Sequence, residues 1–203
     1  MFVKQLIQSY KTGEMKIEEA PRSLAAEGMV LVETKASIVS AGTEKMIIEI
    51  ARKSLLGKAQ ARPDLVRKVI STAKKEGVLG TFQKVRSKLD TPFALGYSCA
   101  GSVIEVGEGV DQIQPGDRVA CGGAGYATHA EYNSVPKNLC VRIPRRKIDN
   151  QEEYISFEEA SFATVGAIAL QGVRQAVLTL GERVCVIGLG LLGQLTVQLC
   201  KAK

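Results

Sequence analysis

The sequence predicts a mixed α+β fold: a compact, barrel-like β domain carrying a basic helical insertion, followed by the opening of an α/β domain. Three observations predict it. Short apolar runs punctuated by Gly and Pro fill most of the first 145 residues, residues 44–90 switch to helical spacing, and 183–193 reads as a strand running into Gly-x-Gly-x-x-Gly.

Residues 29–36 form a β-branched run after Gly28. Residues 98–106 and 118–121 flank a turn sequence, Gly107-Glu108-Gly109-Val110 through Pro115-Gly116-Asp117. Residues 129–135 alternate before Pro136, and the single histidine, His129, is read as a member of that strand. Strands this short, bounded this often by turn residues, suit a barrel better than a wide open sheet.

Between these strands, apolar residues recur at helical spacing in three groups: Met46 to Leu55, Leu65 to Ala73, and Val78 to Leu89. Breaks are expected at Gly57, at Pro63 with Asp64 helping to cap the next helix, and at Gly77. The formal net charge of +6 is local: residues 44–90 carry +7 and the remainder −1. Phe82 is the only aromatic in that segment, which disfavours nucleic acid, because base stacking and groove reading need more than lysines. Solvated helix faces, or a field attracting an anionic substrate or partner, fit the pattern.

From Ser156 the pattern changes. Ser156 with Glu159 is a capping-box signature opening an Ala-rich helical stretch to about residue 178. Residues 183–187 (Arg-Val-Cys-Val-Ile) then read as a buried-type strand, and Gly188-Leu189-Gly190-Leu191-Leu192-Gly193 opens a final helix. This order gives each glycine a role in binding a dinucleotide. Gly188 permits the tight turn, Gly190 lets backbone approach a pyrophosphate, and Gly193 lets helix pack on strand, while the helix N-terminus presents free N–H groups to the anion. A whole βαβ unit takes about 30 residues, and its ribose-binding acid lies about 20 beyond the glycines. Only 21 residues run from Arg183 to Lys203, so the chain is expected to be a piece of a longer protein. On that expectation, the isolated piece is poorly soluble and lacks useful cofactor affinity.

The composition, 45% hydrophobic and 24% charged over 203 residues, supports a buried core. No apolar run approaches the roughly 20 residues of a membrane-spanning helix, and the N-terminus lacks a signal-peptide pattern, so a soluble cytoplasmic protein is expected. The cysteines at 99, 121, 140, 185 and 200 form no CxxC pair, and none lies close to His129, so reduced thiols are expected rather than a disulfide framework or a Cys/His metal site.

The layout resembles the medium-chain dehydrogenase/reductase superfamily, relatives of zinc-type alcohol dehydrogenases with a GroES-like N-terminal domain and a Rossmann cofactor domain. The resemblance rests on Ser40-Ala41-Gly42-Thr43-Glu44, on 95–101 (Leu-Gly-Tyr-Ser-Cys-Ala-Gly) with Val103, Val106, Gly107 and Val110, on 115–119 (Pro-Gly-Asp-Arg-Val), on Ala130-Glu131-Tyr132, and on the glycine fingerprint. It implies a GroES-like domain over 1–150, with the insertion at about 44–90, and an incomplete Rossmann domain over 151–203. The Gly-Thr-Glu version, the basic insertion and the run 162–172 look most like bi-domain oxidoreductases.

The departures bear on chemistry. At the places where zinc-dependent relatives carry metal ligands, this sequence has Ala41, Tyr97 followed by Ser98, and Thr164. A methyl group cannot ligate zinc and neutral hydroxyls ligate it poorly, so no zinc is expected. The resemblance places Tyr97 and Thr43 as the catalytic candidates: Tyr97 as donor to the substrate oxygen, Thr43 in the position of the proton-relaying hydroxyl. The histidine that usually continues the relay is Met46 here. The implied cofactor is NAD or NADP, held at Gly188, Leu189, Gly190, Leu191, Leu192 and Gly193. The implied activity is zinc-independent hydride transfer to or from a hydroxyl/carbonyl substrate, anionic or sugar-like, by a protein that is a homo-oligomer at full length. Two alternatives remain: reduction of a conjugated double bond, and a binding module of the same fold without turnover.

Overall fold

In the computed structural model, residues 1–53, 57, 60, 63–148, 151–179 and 181–202 are described. The N-terminus forms an antiparallel pair, β1 (Phe2–Gln8) and β2 (Met15–Pro21), and then β3 (Met29–Ser37). The basic insertion gives α1 (Ala41–Arg52), α2 (Pro63–Glu76) and α3 (Val78–Asp90). Pro63 occupies the first position of α2, where a missing N–H is tolerated, and Gly77 separates α2 from α3 with φ +87°. The break expected at Gly57 falls instead at Lys53, whose extended backbone ends α1, and Gly57 itself is helical.

The chain continues through β4 (Phe93–Ala94), β5 (Ser98–Val106), β6 (Arg118–Gly122), β7 (Tyr132–Pro136), β8 (Cys140–Arg142), β9 (Arg145–Ile148) and β10 (Gln151–Tyr154). One antiparallel sheet has the order β7-β3-β5-β6-β8, a second β2-β1-β4, and β9 pairs with β10. Backbone bonds join the two larger sheets: Leu6 N–H to His129 O (2.9 Å), Leu95 N–H to Leu6 O (3.0 Å) and His129 N–H to Leu95 O (2.8 Å). Val30, Val32, Cys99, Val103, Val119, Cys121 and Val135 fill the core on one face of the larger sheet. These are alternate residues of β3, β5, β6 and β7, as a two-faced sheet requires. His129 lies outside the strand expected over 129–135, which begins only at Tyr132; its own backbone is taken up by β1 and Leu95.

The other face of the sheet packs Ala100, Ala120 and Ile143 against Ala160 of the helical connector. The connector is two helices, α4 (Phe157–Ala160) and α5 (Ala163–Gln175). The capping box forms as expected: Glu159 N–H donates to Ser156 Oγ (3.1 Å), and Ser156 N–H donates to Glu159 Oε2 (2.9 Å). Arg118 fastens the connector to the sheet, its guanidinium 3.7 Å from the centre of the Phe157 ring and bonded to Ile155 O at 3.0 Å.

A last helix, α6 (Leu191–Ala202), packs on α5. The strand expected at 183–187 carries no ladder with any described residue, and Ile187 is 95% exposed. Its apolar sequence suits a parallel strand covered on both faces, and without a hydrogen-bonded neighbour it stays an extended segment. No described helix is long and apolar enough to cross a membrane.

Candidate active site

Sheet register brings the two catalytic candidates to one end of the barrel. Ser37, the last residue of β3, pairs with Cys99 of β5, and Ile38 N–H donates to Ser98 O (3.1 Å). The segment leaving β3 leads to Thr43 in the first turn of α1, and the segment entering β5 carries Tyr97. Thr43 is exposed, and its Oγ1 accepts from Ser40 Oγ at 3.3 Å. Tyr97 is half-buried; its carbonyl accepts from Gly123 N–H (2.9 Å), while its phenol makes no hydrogen bond with any described residue.

His129 ties these two segments together. Its Nδ1 lies 2.8 Å from Ser37 Oγ, and its Nε2 lies 3.3 Å from both carboxylate oxygens of Glu44, the neighbour of Thr43. Glu44 is buried and also accepts from Ser40 N–H at 3.0 Å. On the other side the histidine ring lies against Gly96, the neighbour of Tyr97: a Cβ at Gly96 would stand 2.8 Å from His129 N and 3.0 Å from its ring, and Gly96 has φ +95°. No local signal in the sequence marks this arrangement, because Glu44 and His129 are 85 residues apart.

The resemblance sets zinc-ligand positions at Ala41, at Tyr97 with Ser98, and at Thr164. Ala41 is exposed at the start of α1, Ser98 is fully buried and donates to Ser161 O (2.6 Å), and Thr164 is packed against Gly122. Among the described residues, no three His, Cys, Asp or Glu side chains come together as metal ligands.

At α6 the glycine fingerprint has the expected backbone logic. Gly188 has φ +92°, and a Cβ at Gly193 would collide with the Gly188 carbonyl oxygen. Gly190 differs, since a Cβ there would meet no atom of a described residue within 4 Å. Gln194 N–H donates to Gly190 O (3.0 Å), which leaves the N–H groups of Leu191, Leu192 and Gly193 at the open helix end. The fingerprint follows α5, which packs against β5 and β6, so the connector links the two groups of candidate residues.

The alcohol dehydrogenase GroES-like domain model matches residues 64–145, from α2 to the first residue of β9. Residues 64–145 thus carry an alcohol dehydrogenase GroES-like domain, which with the sheet and the fingerprint supports the medium-chain dehydrogenase/reductase superfamily.

Relatives include the (R,R)-butanediol dehydrogenase of Bacillus subtilis (strain 168), 29% identical over a 137-residue alignment that covers 55% of this chain and 36% of that protein. Among solved structures, the quinone oxidoreductase of Coxiella burnetii superposes with a TM-score of 0.66 at 22% identity, covering 100% of this chain and 54% of that one. A mycobacterial protein complexed with NADPH superposes with a TM-score of 0.64 at 19% identity, over 98% of this chain and 50% of that one. The chain thus spans about half the length of these structural relatives.

Proposed function

We infer that this chain carries the substrate-side domain and the dinucleotide turn of a zinc-independent NAD(P)-linked oxidoreductase. The glycine geometry carries the reading. Gly188 and Gly193 are glycines because the turn and the helix contact demand it, whereas no atom of a described residue accounts for Gly190. A glycine with open space above it at a helix N-terminus fits the close approach of a pyrophosphate. Leu191, Leu192 and Gly193 would offer their N–H groups to that anion. The bound nicotinamide supplies hydride chemistry, and the chain's own residues position and polarise the substrate.

Tyr97 is the group best suited to polarise it. A half-buried phenol without a hydrogen-bond partner can donate to the oxygen of a carbonyl or alcohol, stabilising the charge that develops there. Thr43, exposed beside Ser40, is placed to accept or pass a proton at the same end of the barrel. Zinc independence is supported by Ala41, Ser98 and Thr164, none of which offers a metal donor of useful strength. A polyol or sugar-like substrate fits the dehydrogenase relative, and a conjugated enone fits the quinone oxidoreductase likeness.

Following NADH and NADPH absorbance in the full-length protein with hydroxy sugars, keto sugars and enones tests this reading. Turnover of a hydroxyl/carbonyl pair supports it, and turnover of enones alone moves the reaction to double-bond reduction. Cofactor binding with neither turnover leaves a binding module of the same fold.

A further inference from the structure

Three cysteines stand in a row across the larger sheet: Cys99 on β5 faces Cys121 on β6, which faces Cys140 on β8. The Cys121 and Cys140 sulfurs are 3.6 Å apart. Their register decides whether they can bond. Ile143 N–H donates to Arg118 O (2.8 Å), which makes that a hydrogen-bonded pair of the antiparallel ladder. Counting along the alternating ladder, Val119 with Arg142 is non-hydrogen-bonded, Ala120 with Val141 is bonded, and Cys121 with Cys140 is again non-hydrogen-bonded. In such pairs the Cα atoms lie about 4.5 Å apart and the side chains approach most closely, within the span a disulfide bridges. Cys99 and Cys121 fall on the wider type of pair, because Gly123 N–H donates to Tyr97 O one pair beyond their neighbours.

Access differs between the two partners. Cys121 is 1% exposed in the core, whereas Cys140 is half-buried on β8, a three-residue strand at the sheet edge with a ladder on one side only. An edge strand this short opens at low cost.

We propose that Cys140 and Cys121 form a reactive thiol pair that hydroperoxides oxidise to a cross-strand disulfide. Cys140 is the first to react. The hydrogen bond from Cys121 holds the Cys140 thiol below its ordinary value, while the same bond, with burial, pushes the Cys121 thiol up. The Cys140 thiol gives up its proton, its thiolate attacks one peroxide oxygen and the O–O bond breaks, leaving a sulfenic acid and a hydroxide or alkoxide that takes up that proton to leave as water or an alcohol. The Cys121 sulfur then attacks the Cys140 sulfur, the S–O bond breaks, and its oxygen leaves as water with the Cys121 proton. In sum, two thiols lose two electrons and two protons, and one peroxide is reduced. The resulting bond ties the edge strand to β6, one residue before the Gly122 against which Thr164 packs.

The test is peptide mapping of the chain with Cys185 and Cys200 replaced by serine, treated with hydrogen peroxide and then blocked and digested with trypsin without reductant. Cleavage after Arg118, Lys137 and Arg142 separates Cys121 on peptide 119–137 from Cys140 on peptide 138–142, with Cys99 on a third peptide. The expected product is 119–137 joined to 138–142, lighter than the two thiol peptides by two hydrogens and released by dithiothreitol. Cys99→Ser retains this product and Cys140→Ser abolishes it. A Cys99–Cys121 link, or Cys140 recovered as sulfinic acid with Cys121 still a free thiol, overturns the proposal. Recovery of both as free thiols at peroxide levels that oxidise an unpaired surface cysteine overturns it too.

Discussion

His129 Nε2 lies 3.3 Å from both carboxylate oxygens of Glu44, in a contact where the two side chains are 10% and 8% exposed. The pair joins the segment before Tyr97 to the turn containing Thr43. His129→Ala would leave a buried carboxylate with Ser40 N–H as its remaining hydrogen-bond donor among the described residues, and Ser37 without its ring contact. The expected loss is about 3 kcal/mol of stability, read by urea unfolding, since removing one member of a buried pair leaves the other unsatisfied. Glu44→Gln, which keeps a polar group facing the ring, should lose less. Equal stability of His129→Ala and the parent would show that the pair holds nothing.

Gly96 and Gly109 separate two reasons for a glycine. Both have positive φ, +95° and +77°, yet a Cβ at Gly109 meets open space, while one at Gly96 meets the His129 backbone at 2.8 Å. Gly109→Ala should therefore cost about 1 kcal/mol, the left-handed backbone penalty alone. Gly96→Ala should cost clearly more, by the same unfolding measurement. Equal costs would mean that the His129 contact at Gly96 is easily relieved.

The barrel was legible in the sequence because its strands alternate and end at Gly and Pro, and because the 95–101 and 115–119 motifs are local. The capping box at Ser156 and Glu159 was legible for the same reason. What the sequence concealed is tertiary. His129 looked like one more alternating residue, and its roles come from Leu6, Leu95, Ser37 and Glu44, all distant in sequence. The segment 183–187 carries a strand's composition, but a strand also needs a neighbour, and no described residue provides one.

Glu159 gives a pH dependence with a defined sign. Ser156 N–H, and then Arg146 at 2.7 Å, hold its carboxyl below the ordinary glutamate value. A depressed folded-state value means the carboxylate contributes stability above the unfolded pKa, and that contribution is lost as pH falls through the folded one. Thermal unfolding of Glu159→Gln beside the parent should show the parent ahead at neutral pH and the gap closing in acid. A gap that is constant or widens on acidification would contradict the assignment.

The ligand set predicts metal content as well. Purified protein, dialysed against a mild chelator, should contain far less than one zinc per chain by elemental analysis, because Ala41, Tyr97 and Thr164 stand where ligands would be needed. Stoichiometric zinc surviving dialysis would require a different ligand set.

In the proposed reaction a phenol, not a metal, polarises the substrate. The most direct test of this is the turnover of Tyr97→Phe in chelator-treated full-length protein, with NAD(P)H binding measured in parallel. Loss of one donor to the reacting oxygen should cost about 3 kcal/mol, roughly a hundredfold in kcat, with cofactor affinity unchanged because its proposed contacts are Gly188 to Gly193. Turnover within about twofold of the parent would rule out the phenol as the donor and leave Tyr97 as packing alone.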